Sequence, residues 1–260
     1  MSRSIGRRTP QHRIHRVVVV VPAHDERDRL EATLDSICEA RARLGRQVSS
    51  QLVVVADHCS DDTSALARRF VRRTRSTRND KVIDVNYRRV GAARRAGTAA
   101  GLRGARDDRG VWIASTDADT IVPSDWLLAH IDFARAGATS VAGVVRLRAD
   151  DGGDHMTRAR FVDRYRLASD GTHDHVHGAN LGIRGDAYRR AGGWQRLKTG
   201  EDHDLWRRLQ VVGRAIATTS LSVETSARRD GRAPAGFAAG LREHDRLGSD
   251  DLACCDGAVA

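Results

Sequence analysis

Val111-Trp112-Ile113-Ala114-Ser115-Thr116-Asp117-Ala118-Asp119-Thr120 is the stretch that decides how the rest of the chain is read. An apolar run stops at two carboxylates spaced i, i+2, and on an extended backbone alternate residues project to the same side. Asp117 and Asp119 can therefore face one hard cation together. At the carboxyl end of a buried strand they would sit where open α/β sheets bind their ligands. The spacing alone is ambiguous, because acidic loops often contain it and Asp202 and Asp204 repeat it.

Working outward, the residues before this stretch alternate between strand-like and helix-like patterns. Val17 to Val21 is an unbroken β-branched run, expected to be a strand buried on both faces and ended by Pro22. The acids Asp25, Glu26 and Asp28 precede a helix with the apolar stripe Leu30, Leu34, Ile37 and Cys38, stopped near Gly45. Leu52 to Ala56 is a second buried strand, followed by Asp57-His58-Cys59-Ser60-Asp61-Asp62-Thr63 and a helix with Leu66 and Phe70 inward. Val82 to Val85 is a third strand, and Gly91 to Gly104 a helix of small residues. Strands and helices alternating at this spacing predict a parallel, doubly wound α/β sheet.

After Thr120 the pattern is less regular. Pro123-Ser124 is expected to open a helix through Trp126, Leu127 and Ile131, with Ser124 as its cap. Thr139 to Leu147 reads as a strand, 150–154 as a loop, and 155–168 as a helix. A His- and Gly-rich stretch, His173 to Asn180, follows, then Gly192-Gly193-Trp194. Gly200-Glu201-Asp202-His203-Asp204-Leu205 opens a last helix with Leu205, Leu209 and Val212 on one side. The expected organisation is a disordered basic segment at 1–15, one domain over 16–247 with halves at 16–120 and 121–247, and a tail at 248–260.

The 260 residues carry a formal net charge of +10, but nearly all of the positive charge is arginine scattered among acids, with Lys81 and Lys198 the only lysines. With few aromatics to stack on bases, this argues against nucleic acid as a main partner and leaves anionic small molecules or anionic lipid surfaces. Cys38, Cys59, Cys254 and Cys255 show no metal-ligand spacing. No apolar run approaches a membrane span and no signal-peptide pattern is present. The expectation is a cytoplasmic protein whose membrane contact, where it has any, is peripheral at the inner face.

Six clusters in order resemble the family 2 glycosyltransferases of GT-A fold. They are Val20 to Glu26 (V-P-A-x-N-E, with Asp25 for the usual Asn), Val53 to Thr63 (V-V-D-D-G-S-x-D-x-T), and Asp117-Ala118-Asp119 (D-x-D). His177 to Arg184 (G-A-N-x-x-x-R), Gly192-Gly193-Trp194 (G-G-[FW]) and Gly200 to Leu205 (E-D-x-x-L) complete the series. The likeness spans roughly 16 to 232 and extends to a group of small actinobacterial-type members.

The resemblance implies a Rossmann-like, mostly parallel sheet with a less regular acceptor half, a nucleotide-diphosphate sugar as donor, a small-molecule or lipid-linked acceptor, and Mn²⁺ or Mg²⁺. Pro22, Ala23, Glu26 and Asp57 would surround the nucleoside, with Asp57 accepting from the base; a turn or cap is its other role. Gly91 and Arg94 would approach nucleoside and phosphates, although Arg94 or Arg95 is equally suited to a solvated helix face. Asp119 would bind the metal, Asp117 the metal and the ribose side, and His175, His177 or His203 is a candidate third ligand. His177, Gly178, Ala179, Asn180 and Trp194 would line the sugar and acceptor region. Asp202 would be the general base with Glu201 in support, against a simple helix-dipole role.

Arg228 and Arg232 stand where processive members carry Q-x-x-R-W, which is missing here; single-sugar transfer follows, with these arginines over the diphosphate or in a solvated loop. Competing functions are a retaining enzyme resembling glucosyl-3-phosphoglycerate synthases, a sugar nucleotidyltransferase, and a non-enzymatic basic binding module. The nucleotidyltransferases carry a Gly-rich loop that Pro22-Ala23-His24-Asp25-Glu26 does not resemble. Carboxylates clustered at strand ends disfavour the binding module.

Overall fold

The computed structural model describes residues 13–74, 79–148 and 171–228. The expectations for residues 1–12, 150–154, 155–168, Arg232, Cys254, Cys255 and the tail lie outside the described residues. Ile14 is buried and the His15 N–H donates to Gly110 O, so the packed chain begins ahead of the first strand.

Strands β1 (Arg16–Ala23), β2 (Ser49–Asp57), β3 (Lys81–Val85) and β4 (Val111–Ser115) are parallel, with β1 between β2 and β4. Helices α1 (Leu30–Ala42), α2 (Thr63–Thr74) and α3 (Val90–Leu102) make the crossovers. The β-branched runs were expected to be buried on both faces, and they are. Val17, Val19 and Val21 pack with α1, α2 and α4 (Trp126–Arg135) on one side. Val18 and Val20 pack with α3, α5 (Gly185–Arg190) and α6 (Glu201–Val212) on the other.

Pro22 does not end β1, which pairs with β2 as far as Ala23↔Ala56. The reason lies in which side lacks a partner. Val20 O accepts from Thr116 N, so the polar groups of Val20 face β4, and those of Pro22, two residues on, face the same way. Pairing with β4 stops at Val20↔Ser115, so no ladder bond is asked of the proline nitrogen.

Beyond β4 the sheet departs from the parallel expectation. The full order is β3-β2-β1-β4-β7-β6-β8-β5, with β5 (Thr120–Ile121), β6 (Ser140–Leu147), β7 (Leu181–Arg184) and β8 (Ala215–Thr225). β7 runs antiparallel to β4 and β6, and β5 antiparallel to β8, while β6 and β8 are parallel. Strands β5, β7 and β8 and helix α5 were not expected, because they are short, contain Gly182, or are rich in Thr and Ser. Helix α4 starts at Trp126 after Asp125, with no side-chain cap bond, so Ser124 is not the cap. In α2, Phe70 is buried as expected, with Thr63 and Ala67, while Leu66 is half-buried. Cys38 on α1 and Val212 on α6 are likewise only partly covered.

The small residues of α3 are explained by its close approach to the sheet. A Cβ on Gly97 would lie 2.6 Å from Val20, and one on Gly101 2.2 Å from Val18. Among the described residues no helix is long and apolar enough to cross a membrane.

Candidate active site

The carboxyl ends of β1, β2 and β4 open into one cleft of about 930 Å³, closed on its far side by residues 176–179 and the start of α6. That volume is at the upper end for small-molecule sites. All three non-glycine residues with positive φ among those described, Asp25, His58 and Arg88, line it. Left-handed backbone at such residues is held in place only by a determined surrounding and clusters at functional sites.

On the first wall, Asp25 has φ 52°, a conformation that Asp and Asn adopt more readily than other residues, so its replacement of Asn keeps the turn. Its Oδ1 accepts from Ser60 N (2.6 Å) and Asp61 N (3.2 Å), and its Oδ2 from Ser60 Oγ (3.0 Å). Burial works to raise the Asp25 pKa, but these bonds outweigh it and hold the carboxyl low. Asp57 Oδ1 accepts the N–H groups of Tyr87 (2.6 Å) and Arg88 (3.0 Å), and Oδ2 that of Arg89 (3.0 Å). Both Asp57 oxygens thus order the loop from β3 to α3. His24 and His58, which sequence reasoning did not single out, stack at 6.1 Å on the same wall.

The turn at Asp117–Asp119 is fixed from α1, where Thr33 Oγ1 donates to Ala118 O (2.9 Å) and Ser36 Oγ accepts from Val122 N (3.2 Å). These two buried polar residues interrupt the apolar stripe of α1 for that purpose. The Asp117 side chain is 34% exposed and that of Asp119 14%. Burial pushes the Asp119 carboxyl up to about 6; Arg228 lowers it, while the charges of Asp117 and Glu26 raise it further. Arg228, at the end of β8, donates to both oxygens of Glu26, one at 2.6 Å, and lies 3.1 Å from Asp119 Oδ2. Thr225 Oγ1 is 3.5 Å from Asp119 Oδ1 and 3.0 Å from Thr120 Oγ1, a neighbour across 106 residues that no local pattern discloses.

The far wall begins with Glu201, which is buried, and Asp202, which is half-buried. Burial raises the Glu201 pKa, and Arg94 works against it. Asp202 Oδ2 accepts Gly178 N–H (3.1 Å) and Oδ1 accepts His203 N–H (2.8 Å). His177 and Ala179 also line this wall. Burial pulls the His177 pKa down to about 4, with Asp202 opposing. Its ring stacks on His175 at 6.3 Å, and His175 on His173 at 6.1 Å.

Three expected site residues, Gly91, Asn180 and Trp194, are not in the cleft lining, while Arg94 is. Arg94 lies at the cleft floor but is buried and committed to Asp117 and Glu201, each at 2.5 Å, rather than to a solvated helix face. A Cβ on Gly91 would meet Gln195 O at 2.4 Å and Glu201 Cγ at 2.9 Å, so this glycine serves helix packing outside the cleft lining. Asn180 is fully buried. It accepts from Trp126 Nε1 (3.0 Å) and donates to Val144 O (2.9 Å) and Leu221 O (3.0 Å), pinning its own turn, Gly178–Asn180, to β6 and β8. Trp194 is fully buried in the core beside Arg94. Pro22, Ala23, Glu26, Asp57 and Arg228 do line the cleft with Asp117, Asp119, Glu201 and Asp202.

Among the described residues, three acidic, His or Cys ligand atoms within 4.8 Å of one another occur only at Asp25, Cys59 and Asp61. No His stands in such a group with Asp117 and Asp119. That pair is two acceptor-only carboxylates in a partly buried, anion-rich corner, a donor set that fits a hard divalent cation.

Three solved structures share the architecture. PcManGT, a mannosyltransferase from Pyrobaculum calidifontis in complex with GDP-Man and Mn²⁺, has a TM-score of 0.63 at 20% identity, over 96% of this chain and 77% of that one. TarS residues 1–349 from S. aureus with UDP-GlcNAc gives 0.59 at 16% identity, over 93% and 67%. GalNAc-T7 with UDP, GalNAc and Mn²⁺ gives 0.59 at 12% identity over 85% of this chain, which spans less than half of that protein (46%). No curated protein sequence is a significant match. The family model described as Glycosyl transferase family 2 matches residues 18–192, which runs from β1 through both aspartates to the turn before Trp194. The chain therefore belongs to glycosyl transferase family 2 and is a glycosyltransferase of GT-A fold.

Proposed function

We propose that this glycosyltransferase is metal-dependent, inverting and non-processive, moving one sugar from a nucleotide-diphosphate donor to an acceptor hydroxyl. The observation that carries the reading is a single cleft with Asp117 and Asp119 on one wall and a half-buried carboxylate, Asp202, on the other. The Mn²⁺ in two of the similar structures supports a divalent ion. Asp119 and Asp117 would hold it, and Mn²⁺ or Mg²⁺ there would supply charge compensation for the leaving nucleoside diphosphate.

The chain's own residues do the rest. Pro22, Ala23 and the loop ordered by Asp57 receive the nucleoside. Arg228 serves the diphosphate, since its guanidinium already sits among the anionic oxygens of Glu26 and Asp119 and its fork suits phosphate. His177, Gly178 and Ala179 border the acceptor. Two of the Asp202 lone pairs are taken by amide N–H groups, which fixes the carboxylate while leaving it able to accept the acceptor proton. As the acceptor oxygen bonds to the anomeric carbon, the bond from that carbon to phosphate breaks, its electron pair leaves with the diphosphate, and the proton passes to Asp202. Glu201, buried against Arg94, is not offered the proton.

A thermal-shift panel of nucleoside diphosphates and nucleotide sugars with and without Mn²⁺ tests the donor side, since ligand binding raises the melting temperature by mass action. A Mn²⁺-dependent shift with one nucleotide series is expected; no shift with any of them would overturn the reading. The anomer of the product made with the identified donor then separates inversion from retention.

A further inference from the structure

We propose that Arg94 is a positioning residue that couples the donor-side carboxylate Asp117 to the acceptor-side pair Glu201-Asp202, so that each wall of the cleft is set by the other. This rests on the two-walled reading above and extends it. Arg94 Nη2 donates to Asp117 Oδ1 and Nη1 to Glu201 Oε1, both at 2.5 Å, across 23 and 107 residues of sequence. Its Cζ stands 5.2 Å from the Trp194 ring centroid. Gly178 is the fourth neighbour, where a Cβ would fall 2.3 Å from Arg94 Cζ. The contacts close a ring: Arg94 holds Glu201, the next residue Asp202 holds Gly178 N–H, and Gly178 packs on Arg94.

Packing alone does not account for this arrangement. A buried ion pair is a poor source of stability compared with apolar residues of similar volume. Here the buried cation is spent on two carboxylates that both line the cleft. The Asp117 side chain touches Arg94 and the cleft at once, being one-third exposed. A guanidinium can span two carboxylates through separate nitrogens in a fixed plane, whereas a lysine ammonium is a point charge that serves one geometry at a time.

The test follows Mn²⁺ binding by loss of the free-ion EPR signal, using the full chain. Glu201→Gln alters only the acceptor-side partner of Arg94. It is expected to weaken Mn²⁺ binding about fivefold, within the usual range of coupling between sites. In an Arg94→Lys background the same Glu201→Gln change is expected to alter Mn²⁺ affinity by about twofold or less. A purely through-space charge effect would persist in that background and would overturn the coupling.

Should Arg94→Lys not fold, Gly178→Ala displaces the guanidinium without changing charge and is expected to weaken Mn²⁺ binding in the same direction. Wild-type Mn²⁺ affinity in both Glu201→Gln and Gly178→Ala would overturn the proposal while leaving the metal site intact. A wild-type chain that binds no Mn²⁺, or binds it equally well as Asp119→Ala, would overturn the metal reading and this inference with it.

Discussion

On the wall proposed for the donor, Asp57 and Asp25 are held by backbone amides, whereas Glu26, Asp117 and Asp119 are met by the guanidinium groups of Arg228 and Arg94. Asp57 takes three and Asp25 two, and the Thr33 hydroxyl fastens the turn between Asp117 and Asp119. The amides lie in loops at the ends of parallel strands, and Thr33 in helix α1, all between residues 16 and 120. On the wall proposed for the acceptor, Glu201 is held by the Arg94 guanidinium, Asp202 by the amides of Gly178 and His203, and Asn180 by an indole and two distant carbonyls. Backbone-to-carboxylate bonds come with the fold, whereas side-chain bridges can change without rebuilding the sheet. The loops ordered by Asp57 and Asp25 are therefore templated by the strands that carry them, and the proposed acceptor wall is joined to the proposed donor wall through Arg94.

The largest expected effect separates the walls by chemistry. Asp202→Asn keeps the shape and the bond from Gly178 but removes the proton acceptor, so turnover should fall by roughly 10²–10⁴ while nucleoside diphosphate affinity stays as in the wild type. Rapid-mix turnover beside calorimetric binding checks both halves of that statement. A folded variant with wild-type turnover would remove the base from Asp202 and break the division of labour.

Asp57→Ala should act on the opposite wall. It strips the acceptor from three N–H groups between β3 and α3, and hydrogen bonds to a charged group are each worth about 1.5–3 kcal/mol. Nucleoside diphosphate affinity should drop about tenfold to a hundredfold, less for Asp57→Asn, which keeps one acceptor oxygen. Unchanged affinity by calorimetry would mean that the loop is ordered by something other than this carboxylate.

Metal affinity should sharpen the contrast through pH. With the Asp119 carboxyl pushed up to about 6, protons compete with a divalent ion below that value. Mn²⁺ affinity is expected to be flat above pH 7 and to fall by about tenfold per unit below pH 6. A midpoint near 4 would indicate ordinary, solvated carboxylates and would weaken the picture of a buried anionic corner.

The same contrast governs what the sequence disclosed. Strands β1, β2 and β4 were legible because β-branched and apolar runs without alternation have one physical explanation, burial on both faces. The acids at their ends were legible because parallel strands deliver their carboxyl ends to one edge. Asn180 and Trp194 illustrate the opposite case. Each stands in a motif expected to border the site, yet tertiary packing turns both side chains into the core. Arg94 was visible as a charge near a helix start, but nothing local distinguishes a solvated arginine from one whose partners lie 23 and 107 residues away. Strands β7 and β8 escaped notice because Gly182 and a run of Thr and Ser mask a pattern that only their neighbours complete.

The smallest effect turns the buried corner into a stability measurement. A carboxyl whose pKa is raised from 3.8 to about 6 on folding binds more protons in the folded than in the unfolded chain between those two pH values. Stability therefore falls as pH rises through that window, and the penalty is complete above about 6. The value of about 6 already contains the favourable charge of Arg228, so Asp119→Asn should gain on the order of 1–3 kcal/mol at pH 7.5, a rise of several degrees in melting temperature. The gain should shrink as pH falls through 6 and vanish near 4, and Mn²⁺ should reverse it by stabilising only the wild type. A variant less stable than wild type at pH 7.5 in chelator would mean that Arg228 and the surrounding N–H groups more than compensate the buried charge. Asp119 would then be a structural ion-pair partner of Arg228 first, like Glu26, and not a charge held ready for a cation.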